Sequence, residues 1–394
     1  MALTNTAARY GSITKIFHWL TALLIFTAFP LGILAHDAPY DTSDELTRKA
    51  LLFSLHKTVG ILAFITALLR ILWALTQRRP GLLNSENRLE TLAAETAHWV
   101  LYGCMLLVPL TGWIHHAASE GFAPIWWPFG QSLPLVPKDA VVSAIFGSIH
   151  TTLTPVLALT IVAHIGGAIK HAVIDKDQTL RRMLPGANTA PTPAPHKSGP
   201  LPFLIAFGIW ALAMTIGVLD APKEPTQLGA ELAEVNSEWA VQDGELAITI
   251  RQFGSDVRGS FADWTADISF EEIAENGRHG TADVTISIGS LSLGTVTQQA
   301  MGPDFFNATE FPTARFTGDL VFDDEAHVAQ GILTLKGVEV PVTFPFDLAI
   351  EGDTATVNAS FPLDRMSFGI GQSMPDESSL GFGVTVEIAF TATR

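Results

Sequence analysis

The chain is poor in cysteine, in charged residues and in basic residues. Its 394 residues include one cysteine, Cys104, which excludes a disulfide framework, a CxxC metal pair and a CxxCH site for covalent haem attachment. Lys and Arg number 23 against 39 Asp and Glu, a net charge of −16 that argues against nucleic acid as a partner. Only 16% of the residues are charged and 48% are hydrophobic, which is too apolar for an ordinary soluble protein.

The apolar residues are concentrated before about Leu219. Five segments are long enough to span about 30 Å of hydrocarbon at about 1.5 Å per residue. They are IFHWLTALLIFTAFPLGILA from Ile16, LLFSLHKTVGILAFITALLRILWAL from Leu51, AHWVLYGCMLLVPLTGWI from Ala97, SIHTTLTPVLALTIVAHIGG from Ser148 with its flanks, and LPFLIAFGIWALAMTIGVL from Leu201. The alternative for the first segment is a signal peptide, because Arg9 and Lys15 precede it and LAHDA resembles a cleavage region.

Basic residues flank these segments on one side, which predicts the orientation. They are Arg9 and Lys15 before the first segment, Arg70, Arg78, Arg79 and Arg88 around the link between the second and third, and Lys170, Lys176, Arg181 and Arg182 after the fourth. The positive-inside rule makes these cytoplasmic, in a multi-pass protein of the bacterial inner membrane. We therefore expect a cytoplasmic N-terminus, a Pro/Ala-rich cytoplasmic linker at 186–200, a fifth transmembrane helix at 201–219, a periplasmic linker at 220–236 and a periplasmic domain at 237–394.

Four histidines within the first four helices form two predicted pairs. His150 and His164 are fourteen residues apart, close to four helical turns, so they share one face at opposite depths. The expected topology places His18 at the depth of His164, the inner pair, and His56 at the depth of His150, the outer pair. Paired neutral imidazoles are what bis-histidine haem ligation requires. A single intramembrane histidine is more often a polar contact between helices, but two matched depths favour the ligand interpretation.

Three further histidines belong to the third helix. His98 is expected at the inner level, where a hydrogen bond to a haem propionate, a hydrogen bond to a quinone head group and a simple interfacial position all remain open. For His115 and His116 we expect a solvated boundary position.

The motifs around these histidines resemble those of the bacterial cytochrome b561 family. They are KIFHW at His18, SLHKTVG at His56, AHWVLYGCMLLVPLTGW around His98, WWPFG from Trp126, SIHTTL and IVAHIGG. The resemblance covers roughly residues 8–185 and implies a four-helix bundle with two non-covalent b haems. It implies His18, His164, His56 and His150 as the iron ligands, and electron exchange with the ubiquinone pool. The family includes superoxide oxidases, which reduce ubiquinone with electrons from superoxide; the fifth helix is an addition to its usual pattern.

Basic residues beside His56 are candidate catalytic groups for that chemistry. Arg48, Lys49 and Lys57 lie on the expected periplasmic side, where they would steer a small anion such as superoxide. The alternative is that they pair with haem propionates or with the neighbouring acids Asp44 and Glu45. The acidic C-terminal half would repel anions unless it stands clear of the haem edge.

After Trp239 the pattern changes to short alternating runs, such as LAITIRQF, ADVTISIG, ARFTGDLVF and VTVEIAFTAT, separated by turn residues. They predict an antiparallel all-β sandwich or barrel. The phrases VRGSFADWTADISF, GPDFFNATEFPTARFTG, GILTLKGVEVPVTFPFDL and DRMSFGIG resemble the YceI family, which implies a lipocalin-like barrel with an elongated cavity for polyisoprenoid lipids, including quinones. We expect Phe305, Phe306, Phe311 and Phe316 to be packing residues. For Asp364 and Arg365 we expect an ion pair or a turn.

Together these observations predict a superoxide:quinone oxidoreductase whose tethered barrel binds quinone or another isoprenoid. Two alternatives remain. The first is a quinol-oxidising electron conduit to a periplasmic redox protein, and the second is an isoprenoid-binding protein for which the cytochrome is an anchor.

Overall fold

The computed structural model describes residues 2–81, 83, 86–119, 123–186, 199–222, 230–235, 237–275, 277–323 and 326–394. Most of the expected linker at 186–200 and much of that at 220–236 lie outside the described residues. The chain divides into two compact units. The first comprises Met1–Asp37, Leu52–Ala118 and Pro124–Lys223, and the second comprises Ala38–Leu51, Ser119–Ala123 and Glu224–Arg394.

Five described helices are long and apolar enough to cross a membrane. They are α1 (Ser12–Asp37), α2 (Ser43–Thr76), α3 (Arg88–Ala118), α4 (Ala140–Val173) and α5 (Leu201–Leu219). The first four extend beyond the predicted segments at both ends, and α5 matches its segment. Threonine hydroxyls inside them donate to the carbonyl four residues earlier, as Thr21 does to Phe17 at 2.6 Å. Such local bonds satisfy polar groups where no water is available.

Helix α5 packs closely against α3 and α4. A buried cluster joins Cys104 of α3, Leu153 of α4 and Ala206 of α5, each 0% exposed. Two glycines permit the close approach, since a Cβ on Gly103 would overlap the Trp210 ring and one on Gly217 would lie 2.7 Å from Ile149 Cα. The helix added to the usual family pattern is therefore an integral part of the bundle.

The described residues of the C-terminal part form a curled antiparallel sheet of ten strands, ordered β3-β4-β6-β7-β8-β9-β10-β1-β2-β5. The strands are β1 (Ala240–Gln252), β2 (Ser255–Phe261), β3 (Trp264–Glu275), β4 (Arg278–Ser287), β5 (Leu291–Ser292), β6 (Thr313–Asp323), β7 (Ala326–Leu335), β8 (Val338–Glu351), β9 (Thr354–Asp364) and β10 (Leu380–Thr393). Just before β1, Trp239 N donates to Ile268 O at 3.2 Å, and Ile268 N donates to Ser237 Oγ at 2.7 Å. These bonds cover the edge of β3. The sequence prediction of membrane helices followed by an antiparallel barrel is confirmed.

Aromatic side chains pack in the interior that this curled sheet encloses. Phe316 is 8% exposed and its ring centre lies 5.6 Å from that of Phe344, which stacks on Phe361 at 4.0 Å. Phe311 packs beside Gly337, where a Cβ would lie 2.8 Å from its ring. In the same unit Leu46, 1% exposed, belongs to a smaller apolar cluster.

Candidate functional site

The outer pair brings His56 of α2 and His150 of α4 together, with ring centres 6.3 Å apart and planes at 82°. His56 Nδ1 lies 2.9 Å from the carbonyl oxygen of Ala28, and His150 Nδ1 lies 2.8 Å from that of Val108. A carbonyl only accepts, so each Nδ1 carries the proton and donates it. Each Nε2 then keeps a lone pair, which is the arrangement that second-shell bonds give to metal-ligating histidines.

Glycines set the position of both outer imidazoles. A Cβ on Gly32 would lie 2.8 Å from His56 Cε1, and one on Gly112 would lie 2.9 Å from His150 Nδ1. Gly60 follows His56 by four residues on the same helix face, and nothing lies within 4 Å of the place its Cβ would take. The imidazoles of His56 and His150 therefore pack closely against Gly32 and Gly112, whereas Gly60 adds no side chain to the face of α2 that carries His56.

The inner level contains three imidazoles. The ring centres of His18 and His164 are 6.2 Å apart, and those of His98 and His164 are 5.2 Å apart in an edge contact. An imidazole nitrogen binds a metal at about 2 Å, as in zinc sites, so two rings facing one metal ion have centres about 6 Å apart. The His18–His164 spacing matches this value, as does the outer pair. His98 instead makes ring contact, and its Nδ1 donates to the Ala94 carbonyl at 2.7 Å.

The donor set therefore fits b-type haem: two pairs of imidazoles, each at the spacing of one metal ion. At the outer pair the proton positions also fit. At the inner pair the proton position on His18 differs. Arg70 Nη2 lies 3.3 Å from His18 Nδ1, and a guanidinium can only donate, so this Nδ1 accepts and the proton is on Nε2. The ligand roles of His18, His56, His150 and His164 stay predictions, and so does the binding role of His98.

Lys57 belongs to a polar chain at the outer end of the first unit. Its Nζ lies 3.3 Å from His116 Nδ1, and His116 Nε2 donates to Gln131 Oε1 at 2.9 Å. Gln131 in turn accepts from Ile125 N at 2.7 Å. Since Nε2 carries the proton, His116 Nδ1 accepts from the Lys57 ammonium.

The expectation of a solvated boundary was wrong for His116, which is 7% exposed, and for His115, which is partly buried. The loop containing Gln131 covers His116, while His115 Nδ1 lies 2.8 Å from the carbonyl oxygen of Ser143 on α4. The ring of His115 packs against Gly147, where a Cβ would lie 3.0 Å from its Nδ1. Helical position alone did not reveal these partners, which come from a loop and from the next helix.

Arg48 and Lys49 belong to the second compact unit, and Lys57 to the first. Arg48 is exposed. Lys49 Nζ donates to Ala38 O at 2.6 Å and lies 5.0 Å from the Tyr40 ring centre. The catalytic role of all three bases stays a prediction.

Two apolar cavities of about 140 and 170 Å³ occupy the barrel and share lining residues such as Ile286 and Leu333. Phe305 and Phe306 line the first cavity. Gln252 also lines it, is 5% exposed, and has a buried Oε1 without a hydrogen-bond partner among the described residues. The apolar lining of both cavities suits an apolar ligand.

Arg365 is 4% exposed and donates to five carbonyl oxygens, and its Nη1 also lies 3.2 Å from Met366 Sδ. The acceptors are Gly381 at 2.9 Å, Ile370 and Gly371 at 2.8 Å, Met374 at 2.6 Å and Leu380 at 3.1 Å. Asp364 forms a turn instead, with its Oδ1 accepting from Met366 N at 2.8 Å. Of the two expectations for this pair, the turn is found. The arginine ties the loop after β9 to the start of β10.

A bundle of membrane-length helices with paired internal histidines, followed by a curled antiparallel barrel, is the architecture of a membrane redox protein with an appended β domain. The profile of the family described as "Prokaryotic cytochrome b561" matches residues 9–186, and that of the "YceI-like domain" matches residues 238–392. The chain belongs to the prokaryotic cytochrome b561 family and carries a YceI-like domain. The family implies b-type haem and a place in the inner membrane.

Relatives match one part of the chain each. "Cytochrome b561 homolog 2" of Escherichia coli is 35% identical over 190 residues, 47% of this chain and 95% of that protein. "Probable superoxide oxidase CybB" of Yersinia pestis is 25% identical over 178 residues, 45% of this chain and 96% of that protein. The crystal structure of Burkholderia cenocepacia BcnA matches with 26% identity and a TM-score of 0.36, over 38% of this chain and 96% of that one.

Proposed function

We propose that the protein is a superoxide:ubiquinone oxidoreductase with one b haem at each histidine pair. Two superoxide ions would give two O₂ and two electrons, and ubiquinone would take two electrons and two protons to become ubiquinol. The observation that carries the proposal is the spacing of His18–His164 and His56–His150, at 6.2 and 6.3 Å. Bound haem supplies a one-electron couple at each position. The similarity to a protein named a probable superoxide oxidase supports the choice of donor.

The chain's own residues prepare the outer position for this chemistry. The bonds from His56 Nδ1 and His150 Nδ1 to carbonyl oxygens hold each ring in the tautomer that can ligate. Lys57 follows His56 directly, and its ammonium is held by His116. In its protonated form, Lys57 would attract superoxide to the outer pair and raise its rate of encounter. The proposed orientation has this end, and the barrel, in the periplasm.

The YceI-like domain would bind ubiquinone or another isoprenoid close to the cytochrome, raising its effective concentration by tethering. The apolar cavities suit the isoprenoid tail, and the Oε1 of Gln252, which has no partner among the described residues, suits a hydroxyl of the polar head, as in the reduced form ubiquinol. Lipid extraction and titration with ubiquinone test this part. Gln252→Leu should weaken binding of a hydroxyl-bearing isoprenoid, whereas Gln299→Leu should not, because Gln299 is a half-buried lining residue whose Nε2 donates to Tyr40 O.

A stopped-flow visible spectrum of the detergent-purified protein tests the reaction. A superoxide pulse should produce the reduced b-type α-band quickly, and short-chain ubiquinone should discharge it. Haems that stay oxidised with superoxide but are reduced by quinol would refute the proposal in favour of an outward electron conduit to a periplasmic redox protein. Lipid transfer that does not depend on haem state would favour the isoprenoid-binding alternative.

A further inference from the structure

Arg182, which follows α4, has a buried guanidinium with donors left over. The residue is 4% exposed, and its Nη1 donates to Gly81 O at 2.8 Å. Its Nε and Nη2 are buried, and within the described part of the chain no atom accepts a hydrogen bond from them. A guanidinium stays charged and has five donors, so burial without acceptors is unfavourable. The site therefore calls for an anionic oxygen ligand.

The surroundings of Arg182 do not neutralise it. The Tyr10 ring lies under the guanidinium at 5.6 Å, and Tyr10 also interacts electrostatically with Arg70. Asp177 interacts with Arg182 at longer range, but its carboxylate accepts from His171 Nδ1 at 2.8 Å. Burial raises the pKa of the Tyr10 hydroxyl, which stays protonated. The cluster thus keeps excess positive charge.

Contacts with α1 place this cluster at the inner histidine level. Trp19 Nε1 donates to Met183 O at 2.9 Å, which fixes the residue after Arg182 against α1. Trp19 directly follows His18, and the two rings are in edge contact at 5.2 Å. Arg182 is therefore held beside the end of the bundle that contains His18.

The guanidinium of Arg70 on α2 lies at the same end of the bundle. Its Nη2 lies 3.3 Å from His18 Nδ1, and its guanidinium lies 5.5 Å from the Tyr102 ring centre. If His18 binds a metal through Nε2, Nδ1 carries the proton and can no longer accept from Arg70. Ligation at the inner pair would therefore free a second guanidinium for an anion.

We infer that Arg182 and Arg70 bind the propionate carboxylates of the haem at the inner pair, with Arg182 as the buried anchor. This inference rests on the proposed function, because it takes His18 and His164 as the ligands. A haem carries two carboxylates on one edge, and planar guanidinium groups bind carboxylates in a bidentate manner. The alternative source of an anionic oxygen is a phospholipid phosphate.

The test is Arg182→Gln in the full-length protein, with Arg181→Gln as the matched control, since Arg181 is adjacent and exposed. The readouts are haem per chain, the midpoint potential of each haem and phosphorus per chain. His18→Ala identifies the inner haem by its loss. We expect R182Q to lower the inner potential or release the inner haem, because loss of a positive charge favours the oxidised iron. The outer haem should be unchanged and report that the chain is folded.

Arg182→Lys keeps the charge and should retain the inner haem with a potential closer to that of the native protein. Unchanged inner potential and haem content in R182Q would overturn the inference. A fall in bound phosphorus with both haems unaffected would do the same and assign the site to a lipid phosphate. If His18→Ala releases no haem, the proposed function fails at the inner pair, whatever R182Q shows.

Discussion

Gly112→Ala should remove the outer haem while leaving the inner one in place. The added Cβ would lie 2.9 Å from His150 Nδ1 and 3.0 Å from Cε1, although ordinary contacts begin near 3.4 Å. The imidazole would have to move by about 0.5 Å, whereas ligand distances at a metal site hold within about 0.2 Å. The same shift would disturb the 2.8 Å bond from Nδ1 to Val108 O.

The measurement is the haem to protein ratio, from the pyridine haemochrome spectrum, together with a potentiometric titration. With one haem per histidine pair, we expect G112A to fall from two haems to one and to lose one of two midpoint potentials. Gly32→Ala should have the same effect, since its Cβ would lie 2.8 Å from His56 Cε1.

Gly208→Ala is the matched control, because Gly208 lies on the exposed face of α5 with nothing within 4 Å of its Cβ position. Replacing an exposed helical glycine by alanine favours the helix by about 1 kcal/mol, so G208A should not be destabilised. A G112A protein with full haem content and both native potentials would show that His150 is not a ligand in the position described.

Three further results are expected. Lys57→Gln should slow haem reduction by superoxide by about 3- to 10-fold at low ionic strength, with the difference shrinking as salt is added, because the positive charge of the protonated lysine is lost. Arg365→Leu removes hydrogen bonds to five carbonyl oxygens, of which that of Gly371 keeps a backbone donor, Met374 N, so the free energy of unfolding of the barrel in urea should fall by about 4 kcal/mol or more. Burial, and then the neighbouring His279, lower the pKa of His327; the barrel should therefore lose stability as pH falls through about 6.5, where the unfolded chain gains a proton. His327→Phe should remove this pH dependence. Equal pH profiles of stability for the H327F and native barrels would contradict the assignment to His327.

The helical period was sufficient to pair the histidines by depth. Fourteen residues bring His150 and His164 back to one face, and the charge asymmetry of the loops orders His18 and His56 against them. The sequence could not predict which groups accept the hydrogen bonds from His56 Nδ1 and His150 Nδ1. Ala28 and Val108 act through backbone carbonyls, which any residue type supplies.

Long-range polar contacts account for the rest of what sequence analysis missed. His116 meets Gln131 because a loop folds back over the end of α3. Arg182 contacts Gly81, which is 101 positions earlier in the chain, and no local pattern signals such a bond. In the barrel, alternation predicted strands, but it could not show that Arg365 binds carbonyls rather than Asp364.

The short segment that precedes β1 determines where an independent barrel fragment has to begin. Ser237 and Trp239 form hydrogen bonds with Ile268 at the edge of β3. The Trp239 side chain is 2% exposed, and its indole N–H donates to Phe270 O at 3.3 Å. A recombinant fragment that starts at Ala240 would lack these bonds. The edge of β3 would then expose unpaired backbone groups, which can pair with a strand of another chain. Such a fragment should aggregate, whereas one that begins several residues before Ser237 should stay in solution.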